Sequence, residues 1–517
     1  MTHVVILGAG IAGVTTAYAL KAQLGPRDEV TVVSDKPYFH FVPSNPWIAM
    51  GWRERPDIAF PIAPYLESRG IRFIHSAVKH IHPDDIQVDL ENGDVVYYDV
   101  LVIATGVIGM EDQIPGLAGH THSVIHIDQA ERALAAYREF VRHAGPIVIG
   151  AAPGASVLGP LYEYAFLVDA DLRRRNIRER VPITLVTPEP WPGHLGLGSG
   201  GPSRGAVTAA LVDTGISVIC NAVTTRIDAD TIQLTELTAE GDVKQTHTLP
   251  YAYSVYWPAF GGVPGVRSAT GLVDEHGLVQ VDEYLRNPNY PNVFALGTCV
   301  ARPAVTKTPV PVGTPNSVYA IQKAGEVVVH NILAQSGDAP LVSYVPQYAM
   351  WLKDMGDTGA TYLSEPQVPM RDINWMRQGR WVHQAKLDFE KYFVNKIRLQ
   401  PGSHAPALTS RIADVMSRLL GEGQGVKQTP SPAASGSGQP MEIWLPQDPR
   451  IELRALAKSV GHDPDALAAE LLAAAVSDAK SYLSEPGVEA MAHARRELLV
   501  EGLPERQPGV QFSGGGT

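Results

Sequence analysis

The fold is decided by residues 3–21, HVVILGAGIAGVTTAYALK. A short apolar, largely β-branched run leads into Gly8-Ala9-Gly10-Ile11-Ala12-Gly13, and a stretch of helical character follows. A second apolar run, VTVVS, occupies 30–34. Strand, glycine-rich turn, helix and strand in that order make a βαβ unit, the building block of a parallel sheet. Further out, apolar runs close at YDVLVIATG (98–106), IVIG (147–150) and ITLVT (183–187). The alternation persists to about residue 335. The chain therefore reads as α/β, with two Rossmann-type, FAD/NAD(P)-binding-like domains and no short-period repeat.

The glycine word has the context that gives it meaning, a strand before it, a helix after it and a second strand about twenty residues on. Gly8 permits the tight turn, Gly10 lets the backbone approach a pyrophosphate, and Gly13 lets helix and strand pack closely. The acid usually found at the end of the second strand is replaced by Ser34, with Asp35 beside it, and either suits an adenosine ribose. The apolar strand closed by Thr105 and Gly106, and the later strand NVFALGT (292–298) closed by Gly297 and Thr298, favour FAD over NAD. Thr298 stands where an acid is usual, so that contact becomes a hydroxyl hydrogen bond. Asn45, Val78 and Gly313 complete the expected cofactor contacts. In the second lobe the turn reads Gly150-Ala-Ala-Pro-Gly154, with a proline where a nicotinamide nucleotide needs room, and Thr187-Pro188-Glu189-Pro190 follows the next strand. That pattern makes NADH a poor candidate donor.

The composition bounds the remaining choices. At roughly 150 residues per domain, 517 residues imply about three folded units. Lys plus Arg number 42 against 54 for Asp plus Glu, a net charge of −12, which disfavours a nucleic-acid partner. Two cysteines exclude a disulfide scaffold and any thiolate-rich metal or iron–sulfur site, and no metal is expected. There is no apolar run long enough to span a bilayer, and MTHVVILGAG has no leader pattern. The expectation is a cytoplasmic chain, extended below to a peripheral contact on the inner face of the plasma membrane.

Beyond residue 340 the texture changes. In RWVHQAKLDFEKYFVNKIR (380–398), Val382, Lys386, Phe389, Phe393 and Ile397 recur at helical spacing. Lys386, Lys391, Lys396 and Arg398 flank this stripe, a pattern shared by interfacial amphipathic helices and by packed helices with a basic solvated side. GEGQGVKQTPSPAASGSGQP (421–440) has linker composition. In 441–503, Met441, Ile443 and Leu445 alternate as in a half-buried strand. Leu453, Leu456 and Val460 share one helix face, and Leu467, Leu471 and Leu472 a second. This small α+β module is similar to the ribbon-helix-helix fold. Glu442 and Trp444 at its outward strand positions suit dimerisation or docking better than DNA, and a helical hairpin is the alternative.

The chain also resembles the bacterial sulfide:quinone oxidoreductases. The words that carry the resemblance are the opening βαβ unit, EVTVVSDKPYFHFVPSNPWIAMGWRERPDIAFPI, GPIVIGAAPGASVLGPLYEYAF, PEPWPGHLGLG, NVFALGTCVARPAVTKTPVPVGTPNS, DMGDTGA and RWVHQAKLDFEKYFVNKI. The resemblance implies FAD, here non-covalent, two Rossmann-type domains and an amphipathic C-terminal element that guides quinone from the membrane. It places an FAD-binding domain at 1–110 and 290–335, a second Rossmann-like domain at 111–289, and a quinone- and membrane-facing region at 336–420. The linker, the module at 441–503 and a disordered tail at 504–517 follow.

The same resemblance exposes a departure. The family oxidises sulfide with cysteines beside the flavin, and a low-pKa thiolate has no easy substitute. Its three cysteine positions fall on Ile125, Val157 and Trp351, and an expected lysine falls on Asn316. Cys220 and Cys299 read as small buried hydrophobes. Glu163 and His194 survive as candidate proton carriers near the flavin, while Tyr38, Phe39, Trp47 and Trp351 are candidates to line a wider apolar pocket. The expected activity is electron transfer from an unidentified donor through FAD to quinone without persulfide chemistry, in a homo-oligomer joined through 441–503. Three alternatives stay open: direct oxidation of sulfide or an organosulfur compound at the flavin, a non-catalytic flavoprotein scaffold, and an NADH:quinone oxidoreductase.

Overall fold

The computed structural model describes residues 2–399, apart from 199–201, 336, 338, 345–348, 357 and 366–372. The linker, the module at 441–503 and the tail lie outside the described residues.

The opening segment folds as its pattern predicts. β1 (His3–Leu7) enters a turn at Gly8, α1 (Ile11–Lys21) leaves it, and β2 (Glu29–Ser34) returns parallel to β1 with Val4 opposite Val30 and Leu7 opposite Val33. β3 (Arg72–His75), β4 (Val100–Ile103) and β9 (Val293–Ala295) complete a parallel sheet in the order β9-β4-β1-β2-β3. The strand after residue 290 thus returns to the first sheet. Val4, Val5, Ile6 and Leu7 are all fully buried, because helices and a meander (Val78–His82, Gln87–Leu90, Val95–Tyr97) cover the two faces.

The second sheet is also parallel. It runs β7-β6-β5-β8, from Ile216–Ile219, Ile183–Val186, Ile147–Ala151 and Tyr253–Trp257 respectively. Two helices bring its surroundings to the first lobe: α2 (Ile127–Phe140) packs on the short helix Asn45–Ala49, and α3 (Gly159–Arg174) follows β5. α4 (Val318–Gln335) packs along α1. An antiparallel sheet then runs β10 (Ala349–Asp354), β11 (Gly359–Glu365) and β12 (Ile373–Gln378).

The chain next enters α5 (Arg380–Arg398). The stripe read from its sequence faces inward: Val382, Lys386, Phe393 and Ile397 are buried, and Phe389 is half-buried. Phe393 stacks on Phe41 at 5.6 Å, and the Tyr18 hydroxyl donates to the Ile397 carbonyl at 3.0 Å. The helix spends its apolar face on the core, so any bilayer contact through 381–398 falls to its outer residues. Of the flanking cations Lys391 is exposed, whereas Lys386 is enclosed. Among the described residues, no helix is long and apolar enough to cross a membrane.

Candidate functional site

The glycine turn forms a cradle. Gly8 has φ +111°, and a Cβ there would strike the Ala104 carbonyl of the neighbouring strand end. A Cβ on Gly13 would strike the Gly8 carbonyl, so helix and strand approach as closely as the motif requires. A Cβ on Gly10 would meet nothing within 4 Å, so this side of the helix N-terminus faces open space suited to a pyrophosphate. Ser34 ends β2 buried, its hydroxyl accepting from the Lys36 N–H at 3.3 Å. Asp35 is exposed and paired with Lys36 at 3.2 Å. Val78 lies in the adjoining meander, two residues beyond Ser76, whose N–H donates to the Ser34 carbonyl at 2.9 Å.

The opposite wall comes from the other glycine ends. Gly106 and Gly297 have φ +71° and +89°, and the Thr298 hydroxyl lies 3.7 Å from where a Gly106 Cβ would sit, with Thr105 alongside. Asn316 donates from Nδ2 to the Gly297 carbonyl at 2.8 Å, while its buried Oδ1 has no protein partner. A buried acceptor without a donor is costly, and at this corner a cofactor donor would relieve it. The open Gly10 cradle and the orphaned Asn316 oxygen together fit an adenine dinucleotide.

Asn45 is buried at the start of its short helix. It donates from Nδ2 to the Ile125 carbonyl at 2.8 Å and contacts His40 Nε2 through Oδ1 at 2.6 Å. Burial pushes the His40 imidazole down to about 4, a shift the Asn45 bond only partly opposes. Val157 precedes α3 with φ +55°, a conformation that β-branched residues rarely occupy. Trp351 lies on β10, three residues before Asp354, whose N–H donates to Glu163 Oε1 at 3.3 Å. Two corrections follow. Phe39 and Trp47, expected to line an open pocket, are fully enclosed, and Phe39 packs on Phe60 at 5.3 Å.

Glu163, a candidate proton carrier, sits in a buried polar cluster. Lys386 of α5 forms an ion pair with it, the two side chains being 5% and 2% exposed. Lys386 Nζ and Arg53 each lie 4.6 Å from the Trp47 ring centroid. The Trp47 indole donates to Asp354 Oδ2 at 2.8 Å, and His383 Nδ1 contacts Asp354 Oδ1 at 2.9 Å. Glu390 accepts from Arg53 at 2.8 Å and from the Ser44 hydroxyl at 2.5 Å. Burial drives the Lys386 ammonium down to about 7, with Arg53 acting in the same direction and Glu390 against it. A lysine weakened in this way can give up a proton near neutrality. Lys386, His383, Glu390 and Asp354 all stand in words quoted from the sequence, but as helix flank or motif rather than as chemistry.

His194 lies in a different corner, on the loop after β6. It is buried, accepts from the Gly196 N–H at Nδ1 (3.2 Å) and meets the Thr306 hydroxyl at Nε2 (3.4 Å). The loop backs onto 311–316, since a Cβ on Gly196 would strike the Gly313 carbonyl and one on Gly313 would meet Ser156 Cβ at 2.6 Å. The second-lobe turn is already occupied: the Gly154 N–H donates to the Pro311 carbonyl at 2.7 Å, and the Tyr256 ring fills the space beside Gly150. Cys299 lies against the Thr105-Gly106 strand end, and Cys220 lies near Glu189. Cys299 donates to the Ile103 and Leu296 carbonyls at 3.3 and 3.2 Å, and burial pushes its thiol up to about 11. Burial likewise pushes Cys220 up to about 12.

Comparison with known proteins follows the geometry. The family described as pyridine nucleotide-disulphide oxidoreductase matches residues 2–325. The sulfide-quinone reductase of Aquifex aeolicus is 35% identical over 81% of this chain and 95% of its own length. The crystal structure of the sulfide:quinone oxidoreductase from that organism superposes with a TM-score of 0.75 at 33% identity, covering 80% of this chain and 95% of that one. An NADH dehydrogenase-like protein of Mycobacterium tuberculosis is 27% identical over 70% of this chain and 88% of its own length.

Proposed function

The chain belongs to the sulfide:quinone oxidoreductase family and is an FAD-dependent oxidoreductase; from that premise we propose that it passes electrons from a donor other than sulfide to quinone without a cysteine persulfide step. The observation that carries the reading is Val157. An apolar, left-handed residue stands where the resemblance calls for the nucleophilic thiol, and the chain's two thiols, one buried and one half-buried, are both pushed up by desolvation.

When bound, FAD supplies the two-electron carrier between donor and quinone. The protein's own part is binding and proton management. Gly8, Gly10 and Gly13 would hold the pyrophosphate, Ser34 or Asp35 the ribose, and Thr105, Gly106, Gly297, Thr298, Asn45, Val78 and Gly313 the remainder. Reduction of a quinone takes up two electrons and two protons. Lys386, with Glu163 as partner, is the acid on the side facing α5, while Asp354 holds Trp47 and His383 in register around it. His194 is the second proton carrier, on the loop side. Quinone approach along the region 336–420, a peripheral membrane contact and oligomerisation through 441–503 complete the proposal.

Anaerobic spectroscopy of the FAD-loaded protein tests it. We expect no rapid bleaching of the flavin band by sulfide or NADH, and rapid reoxidation of chemically reduced protein by a short-chain quinone. Rapid bleaching by sulfide would return the protein to sulfur oxidation, and bleaching by NADH would make the second lobe a working nicotinamide site. Failure of every quinone to reoxidise the flavin would leave a scaffold. A donor panel weighted to organic thiols and hydroquinones then identifies the reductant.

A further inference from the structure

A second buried carboxylate takes no part in this scheme. Glu189 stands three residues past β6, close to where the second strand of a nucleotide-binding unit ordinarily offers an acid to a ribose. Here it is fully buried and its oxygens are engaged by the chain itself. Oε2 accepts from the Tyr162 hydroxyl at 2.5 Å and the Thr187 hydroxyl at 2.7 Å, and Oε1 accepts from the Leu195 N–H at 2.6 Å. The Tyr162 oxygen in turn accepts from the Gly193 N–H at 3.0 Å. Three donors converging on one side chain suit a carboxylate, which only accepts.

Gly193 and Leu195 flank His194, so both sides of that histidine are tied to one carboxylate, directly on one side and through Tyr162 on the other. The loop requires a tether. Gly193, Leu195, Gly196 and Gly198 all have left-handed φ, at +81°, +54°, +72° and +85°. For Leu195 this costs about 1–2 kcal/mol, which the surroundings must hold in place. Because Nδ1 accepts from Gly196, a neutral ring carries its proton on Nε2, toward Thr306. A Gly196 Cβ would also approach Pro315, next to the Asn316 that bonds Gly297 in the flavin cradle.

We propose that Glu189 is a positioning residue, which binds the loop around His194 in place of a nucleotide ribose and holds that histidine in one tautomer at the edge of the flavin site. The proposal rests on the reading of His194 as a proton carrier. Glu189→Gln in the FAD-loaded full-length protein tests it. If the amide oxygen keeps the Leu195 N–H, its N–H groups face the Tyr162 and Thr187 hydroxyls, which must reverse from donor to acceptor, and at Tyr162 they compete with the Gly193 N–H; the opposite orientation loses Leu195. Tyr162→Phe removes only the Gly193 arm, preserves packing, and serves if the first variant does not fold.

Two readouts separate the outcomes. Hydrogen exchange in a peptide spanning 190–198 should rise about tenfold or more in Glu189→Gln and less in Tyr162→Phe. Quinone-driven reoxidation should slow about tenfold with the quinone KM within about twofold, and its pH profile should shift. Combining Glu189→Gln with His194→Asn should be no slower than His194→Asn alone, since the glutamate acts through the histidine. Unchanged exchange in both variants, or losses that multiply in the combination, would overturn the proposal. If exchange rises while His194→Asn leaves rate and pH profile untouched, the tether stands and the proton-carrying role of His194 falls.

Discussion

Replacing Lys386 with methionine is the most direct test of the buried acid. Methionine keeps the length and apolar stem of the side chain and removes the ammonium. Glu163, 2% exposed, would then retain the Asp354 N–H at 3.3 Å as its donor among the described residues. Breaking a buried pair from one side costs about 3–5 kcal/mol, because the remaining charge is stranded or must take a proton. Exchanging both members, Lys386→Met with Glu163→Gln, removes both charges and should bring stability back to within about 1 kcal/mol of the parent. Activity should behave differently. Loss of a general acid lowers the rate by about 10²–10⁴, and the double variant should remain as slow as the single one. Denaturant midpoints supply the first comparison. Anaerobic stopped-flow mixing of reduced protein with a short-chain quinone supplies the second.

The pH dependence of the same step has a definite sign. Lys386 is pushed down to about 7 from 10.5, so its acid form, and the reoxidation rate that needs it, should decline as pH rises through about 7. For stability the direction reverses: the buried ammonium costs the fold at low pH, and the cost fades as pH climbs from about 7 toward 10.5. If the double variant recovers quinone turnover together with stability, Lys386 and Glu163 are structural and the acid lies elsewhere.

Three further outcomes are expected. With His40 lowered from 6.5 to about 4, the native state should lose roughly 2–3 kcal/mol as pH falls through that window, and His40→Gln should abolish the slope in acid-titrated denaturation. Val157→Gly should stabilise by about 0.5–1 kcal/mol, since relief of the left-handed cost of about 1–2 kcal/mol exceeds the entropy of a glycine. It should leave quinone reduction unaltered, and a large fall in rate would give residue 157 a chemical role. The cysteine-free variant Cys220→Ala with Cys299→Ala should turn over its donor within about twofold of the parent in steady-state assays, because desolvation pushes both thiols up and so disfavours the thiolate. A tenfold loss would bring sulfur chemistry back.

The parts legible in the sequence are those whose physics is local. Gly8, Gly10 and Gly13 work within one turn, so spacing alone reveals them, and the same holds for Thr105-Gly106 and Gly297-Thr298. The acid cluster was not legible because it joins Trp47, Glu163, Asp354 and Lys386 across more than two hundred residues, and each looks ordinary in its own segment. The stripe on α5 shows a different limit. A 3.6-residue period identifies which face of a helix is covered, not what covers it, and here Phe41 and Tyr18 cover it. Glu189 was visible as a residue after a strand. That its partners are a tyrosine and a loop amide depends on how 191–197 folds back, which no pattern in that segment dictates.

That Lys386 arrives on the last described helix has a bearing on biosynthesis. Both parallel sheets and every glycine of the dinucleotide cradle lie upstream of residue 380, while the helix that covers Phe41 and Tyr18 comes after it. The ammonium proposed as the acid for quinone comes only with that helix. On the proposed reading, a nascent chain carries the whole cradle sequence before it carries the acid that serves quinone.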